Sequence, residues 1–106
     1  MLTKEREAEM LLEAASRGDL RGVQALVEHG NSVATHQKGT GLTPLHLAIA
    51  MNDMALARYL IEEANAPFIP DGFGRLPSVV AAQSNVGEEL SDYILEKEAA
   101  ATADAK

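Results

Sequence analysis

One segment of the chain occurs twice at a fixed distance, and this period limits the possible folds more than any other feature. Thr43-Pro44-Leu45-His46-Leu47-Ala48 returns in altered form as Leu76-Pro77-Ser78-Val79-Val80-Ala81, 33 residues later. Residues 11–20 also align with residues 45–54, at an offset of 34. A period of this length is typical of repeat proteins, so three copies of one unit account for most of the chain.

Each copy has the pattern of two short helices joined by a tight turn. The second helix of each copy ends in an aliphatic pair: Leu26-Val27, Leu60-Ile61 and Ile94-Leu95. Asp19 and Asp53 are placed to cap second helices, and Pro44 and Pro77 suit the first turn of the helices that they open. Two segments without helical period separate the helix pairs, and we call them the first connection (residues 31–41) and the second connection (residues 66–74). The predicted fold is an all-α solenoid of stacked helix pairs with projecting, hairpin-like connections.

The middle copy resembles the ankyrin repeat family. The residues that carry the resemblance are Gly41, Thr43, Pro44, Leu45, His46 and Ala48. It extends over residues 8–97 and implies repeats at 8–38, 39–71 and 72–97 within one domain of residues 1–97. The first copy has Glu9 and Met10 at the Thr-Pro position, and the third has Leu76, Ser78 and Val79 in place of Thr, Leu and His. Because an end repeat has one face in water, we expect the first and last copies to act as caps. The Ala-rich segment 98–106 has no apolar stripe and is expected to be a disordered tail.

Composition and charge exclude several classes of function. With 106 residues and 46% hydrophobic content, the chain suits a single core. The nine basic residues are scattered, whereas nucleic-acid binding requires clustered Lys and Arg, so nucleic acid is not an expected partner. The net charge is -7, and nine of the 16 acidic residues cluster at residues 5–13 and 88–98. They are either solvated outer faces of the end helices or an attraction for a basic partner.

The sequence contains no segment that suits a membrane or a secretion signal. No run approaches the roughly 18 apolar residues of a membrane span, and residues 1–6 lack an apolar stretch. We therefore expect a cytoplasmic protein without a membrane partner.

No catalytic or metal-binding pattern is found. The chain has no cysteine, and His29 and His36 lack a third ligand at metal spacing. The serines occur in no nucleophile motif, and no glycine-rich turn precedes a helix in a phosphate-binding pattern. Gly72 and Gly74 are interpreted as residues with positive backbone angles. We expect no enzyme, no cofactor, no metal and no small-molecule substrate.

The resemblance gives His46 a structural role, in which its ring bonds the threonine hydroxyl and backbone groups of the turn. The structural positions that it implies are Gly41, Thr43, Pro44, His46 and Gly74.

The second connection is the strongest candidate for a binding surface. Phe68, Ile69 and Phe73 are large apolar residues among prolines and glycines, so each must fold back on the core or face a partner. Phe68 or Ile69 is expected to cover the helix ends. Phe73 is expected to be exposed, because the resemblance places it at a variable position that often faces partners. The resemblance implies that Arg17, Met51 and Gln83 face the concave side. The candidate partner-binding residues then form a strip from the connections into that side: Phe73, Phe68, Ile69, Arg75, Leu42, Met51, Arg17 and Gln83.

The predicted function is non-catalytic binding of another protein. Since the chain has no second domain, we expect binding itself to produce the effect. This favours a protein that inhibits or regulates its partner, and an enzyme is one such partner. The alternative is a passive adaptor or assembly subunit that bridges two proteins.

Overall fold

The structure, a computed structural model, describes residues 3–103 and consists there of six α-helices and irregular segments, without strands. The helices are α1 (Lys4–Ser16), α2 (Leu20–Glu28), α3 (Pro44–Ala50), α4 (Met54–Arg58), α5 (Pro77–Gln83) and α6 (Glu88–Ala103). α4 continues into a π-helical turn at Tyr59–Glu63, where the Ala64 N–H donates to the Tyr59 carbonyl. The three helix pairs confirm the predicted all-α repeat fold.

Local sequence explains where the helices begin. Asp19 and Asp53 accept hydrogen bonds from the backbone N–H of Gly22 (3.0 Å) and Leu56 (3.1 Å), so each aspartate caps the helix that follows it. Pro44 and Pro77 occupy the first turns of α3 and α5, as predicted.

The tight turn within each helix pair uses the same backbone conformation three times. Gly18, Asn52 and Asn85 lie at equivalent positions of the three copies, with φ of 72°, 55° and 55°. Glycine and asparagine are the residues that adopt this left-handed conformation at least cost. The period read from the sequence is therefore also a period of the backbone.

Stacking between the repeats runs mainly through the inner helices. α3 packs against α1 on one side and α5 on the other, while α2, α4 and α6 each pack on the inner helix of their own pair. Leu45 and Ile49 of α3 are completely buried, as is Leu56 of α4. The middle repeat is thus covered on both sides and provides the centre of the core.

The C-terminal segment differs from the prediction of a disordered tail at 98–106. α6 continues to Ala103, and residues 104–106 lie outside the described residues. Two causes favour the longer helix. Alanine has the highest helix propensity, and the Glu98 carboxylate accepts hydrogen bonds from the backbone N–H of Ser78 (3.1 Å) and from its hydroxyl. Because Leu76 has no side chain that can cap α5, Glu98 supplies that cap from the neighbouring helix.

The third repeat exposes several large apolar side chains to solvent. Leu76, Val79 and Leu95 are all exposed, Leu95 by 53%. The acids Glu88, Glu89 and Asp92 of α6 are exposed as well.

Candidate functional site

The second connection is held in shape by one buried carboxylate, that of Asp71. Its Oδ1 accepts hydrogen bonds from the backbone N–H groups of Phe73 (2.9 Å) and Arg75 (2.9 Å), and its Oδ2 accepts from Arg75 Nε at 2.8 Å. Burial acts to raise the pKa of Asp71, but these hydrogen bonds and the Arg75 charge outweigh it and lower the pKa below its ordinary value. The carboxylate therefore stays ionised and fixes the turn that carries Phe73.

Phe73 is the most exposed large apolar residue among those described, with 68% of its surface accessible. The Arg75 guanidinium carbon lies 5.4 Å from the centre of its ring, within the range of a cation–π contact. Arg75 Nη1 also donates to Gln83 Oε1 at 2.9 Å. The fold thus brings together three candidate residues that are up to ten positions apart in the sequence. We call Phe73, Arg75 and Gln83 the Phe73 surface.

His46 fastens the Phe73 surface to the middle repeat. Its Nε2 lies 3.0 Å from the Arg75 carbonyl oxygen, which can only accept, so Nε2 carries the proton. Nδ1 then accepts from Thr43, whose hydroxyl lies at 2.7 Å and whose backbone N lies at 3.3 Å. Burial lowers the pKa of His46, which keeps the ring neutral. Both ring nitrogens are used inside the fold.

Two glycines allow the neighbouring connections to touch. The Gly72 N–H donates to the Thr40 carbonyl at 2.9 Å. A Cβ on Gly41 would lie 2.6 Å from Gly72 Cα, and one on Gly72 would lie 2.5 Å from the Thr40 oxygen. Gly72 is therefore needed for close packing and not for a positive φ, which corrects the interpretation made from the sequence. Gly74 does have a positive φ, of 78°, with open space around it.

The other candidate residues occupy different environments. Phe68 and Leu42 are half-buried and pack against the core, so most of their surface is used by the fold. Ile69 is 36% exposed and Met51, directly after α3, is 54% exposed. Arg17 is exposed at the end of α1. Within residues 3–103, no hydrogen bond or ion pair joins Arg17 to the Phe73 surface.

An open groove of about 510 Å³ lies between α1 and the first connection, and it was not predicted. Ala8 and Leu12 lie at its floor, and α1 contributes the acids Glu5, Glu9 and Glu13. The far wall comes from residues 35–38 of the first connection. One pattern in the sequence could have indicated this groove: the three acids recur at every fourth residue, with Ala8 and Leu12 between them.

Glu7 does not belong with the acids of this groove. It is buried, and its Oε1 accepts from Asn31 Nδ2 at 2.9 Å, which lowers the pKa of Glu7. Asn31 also donates to the Leu26 carbonyl at 2.9 Å. The pair joins α1 to the end of α2 and has a structural role.

Neither a metal site nor a membrane span is found in the part of the chain that the structure describes. No three His, Cys, Asp or Glu side chains among residues 3–103 are grouped so that they could hold a metal ion. No helix in this range combines the length and apolar character needed to cross a bilayer.

Comparison with known proteins identifies the family. Residues 11–105 match the family model for ankyrin repeats in three copies. The chain is 30% identical over 90 residues to a putative palmitoyltransferase, ZDHHC13, of Danio rerio, covering 85% of this chain and 14% of that protein. It is 31% identical over 86 residues to ankyrin repeat domain-containing protein 40 of Mus musculus, covering 81% of this chain and 24% of that protein.

These alignments cover less than a quarter of each relative's length, so they concern the repeats alone. Ankyrin repeats are in general non-catalytic modules of protein–protein interaction. With its three repeat copies matched over most of its length and their geometry visible in the stacked helix pairs, this chain belongs to the ankyrin repeat family.

Proposed function

We propose that this chain binds another protein through the Phe73 surface, with Ile69 and Met51 as exposed apolar neighbours. The observation that carries the proposal is an aromatic side chain that is 68% exposed on a turn fixed by buried hydrogen bonds. Aromatic and arginine side chains dominate the binding energy of protein interfaces. Because the turn is already ordered, little conformational entropy is lost when a partner covers it.

The proposed function does not involve catalysis, a cofactor or nucleic acid. The ring of His46 is neutral, and both of its nitrogens are hydrogen-bonded, Nδ1 to Thr43 and Nε2 to the Arg75 carbonyl. The scattered basic residues and the net charge of -7 disfavour a polyanion. The palmitoyltransferase activity named for one relative is not transferred, because the chain covers only 14% of that protein.

We also propose that the protein acts in the cytoplasm.

We propose further that binding inhibits or regulates the partner. The support for this proposal is the exposed aromatic side chain of the Phe73 surface, which can dock against an active site or an interface of the partner and cover it. A passive adaptor that bridges two proteins is the alternative, and it requires a second patch.

The test is affinity capture from the native organism with three baits: wild type, Phe73→Ala and Leu95→Ala. Leu95 is the matched control because it is an exposed large apolar residue on the outer helix α6. We expect one partner to be recovered by wild type and Leu95→Ala and lost with Phe73→Ala. Adding the purified chain to that partner then distinguishes the two hypotheses, since an inhibitor lowers the partner's activity and an adaptor leaves it unchanged. Equal recovery by all three baits would contradict the proposed surface.

A further inference from the structure

We propose that the groove between α1 and the first connection binds an extended, basic segment of a protein partner. The inference rests on the proposed function, since it names the chemistry of one segment of such a partner. The groove measures about 510 Å³, and Leu12 at its floor is only 6% exposed. A chain lying over Ala8 and Leu12 would contact an apolar floor and an acidic wall together.

Charge complementarity selects a basic occupant. Glu5, Glu9 and Glu13 all line the groove and are exposed, and they outnumber the basic side chains Arg6 and Lys38 that also line it. Since they stand one turn apart on α1, neighbouring carboxylates are separated by about 6 Å along the helix. Within residues 3–103, Glu9 is the one member of the three with an ion-pair partner, Arg6, whose Nη1 lies 3.0 Å from Glu9 Oε1. A basic segment would therefore compete with Arg6 for Glu9.

The spacing of the three acidic side chains matches that of an extended segment. Alternate side chains of an extended chain point to the same side and are about 6.6 Å apart, which matches the row of acids. The intervening side chains would face Thr35, Gln37 and Lys38. Lys38 disfavours further positive charge there, so the segment should alternate Lys or Arg with uncharged polar residues.

The test is an NMR titration of the ¹⁵N-labelled chain at low salt with two synthetic peptides of identical composition. In one peptide three lysines alternate with threonines, and in the other the three lysines are adjacent. We expect the alternating peptide to bind several-fold more tightly and to shift the amide signals of residues 5–16 and 35–38. Adjacent lysines cannot all face the acidic row, so a difference between the isomers reports geometry and not charge alone.

Three variants sharpen the result. Glu9→Gln removes one carboxylate and should weaken binding of the alternating peptide about two- to fivefold, as expected for an exposed ion pair. Arg6→Gln removes the internal competitor and should strengthen binding about twofold. Glu89→Gln makes the same charge change on α6, outside the groove, and should leave the dissociation constant unchanged.

Equal affinity for the two isomers, or shifts spread equally over α6, would show that the peptides sense only net charge and would overturn the proposal. Absence of binding at millimolar peptide would overturn it as well. The titration does not involve Phe73, so its failure leaves the proposed Phe73 surface standing, and loss of that surface leaves the titration valid.

Discussion

Replacing Phe73 by alanine should weaken partner binding by about 2 kcal/mol or more, roughly thirtyfold in the dissociation constant. A phenylalanine buries about 150 to 250 Å² when fully covered. Because 68% of Phe73 is exposed, a partner can cover at most about two thirds of that area, or roughly 100 to 170 Å². At about 25 cal/mol per Å² this corresponds to an upper limit of about 2.5 to 4 kcal/mol, of which part is offset by the costs of association.

The same exposure predicts that the fold hardly depends on the Phe73 side chain. Calorimetric titration of wild type and Phe73→Ala with the captured partner measures the affinity, and a thermal melt by circular dichroism measures the stability. The melting temperature should change little in Phe73→Ala, and Leu95→Ala should change neither quantity strongly. If Phe73→Ala instead unfolds the chain while the folded fraction binds normally, Phe73 is a core residue. The site must then be sought along Arg17, Met51 and Gln83.

Three further predictions concern the scaffold. Leu45→Ala, at a fully buried site in the middle repeat, should cost about 2 to 5 kcal/mol by leaving a cavity, and urea unfolding should still show one transition for all repeats; an unchanged midpoint would contradict the stacking. Since burial lowers the pKa of His46, the unfolded chain takes up a proton first as the pH falls below about 6.5, so stability should decline there and His46→Gln should remove that decline. Asp71→Asn should cost about 1 to 3 kcal/mol and accelerate amide exchange at Phe73 and Arg75, whose N–H groups it holds; unchanged exchange would mean that the turn does not depend on the carboxylate.

The sequence was sufficient for features that depend on neighbouring residues. A cap such as Asp53 needs a carboxylate and an N–H three positions later, and both are visible in the sequence. The same holds for Pro44 in the first turn of α3. The repeat period adds the stacking of helix pairs, because each unit must cover its neighbour.

Features that join distant segments could not be predicted. The Glu98 carboxylate caps α5 across 20 residues, and Gly72 meets Thr40 across 32 residues. In the sequence Glu7 is one acid among several, and only the folded structure shows that it accepts a hydrogen bond from Asn31. In each case the residue's role depends on a contact with a segment 20 or more positions away, and only the folded chain brings the two together.

The candidate site could be predicted from the sequence only in part. Phe73 is exposed, as the family resemblance led us to expect, and Phe68 packs on the core, as expected for one of the pair Phe68 and Ile69. The contacts of Arg75 with Phe73 and Gln83 require the turn that Asp71 fixes, and nothing in the sequence singled out Asp71. An arginine near an aromatic residue is common, whereas a buried carboxylate with three donors appears only in the folded chain.

The spacing of the two proposed surfaces bears on whether the chain inhibits one partner or bridges two. The groove lies on α1 and the Phe73 surface reaches Gln83 of α5, with α3 between them. At about 8 to 10 Å between packed helices, the two surfaces are roughly 20 Å apart, a distance that about six extended residues can span. One partner can therefore occupy both, in which case Phe73→Ala and Glu9→Gln weaken the same complex and their effects combine through effective concentration. Two partners would each respond to only one of the variants, and that pattern would identify an adaptor.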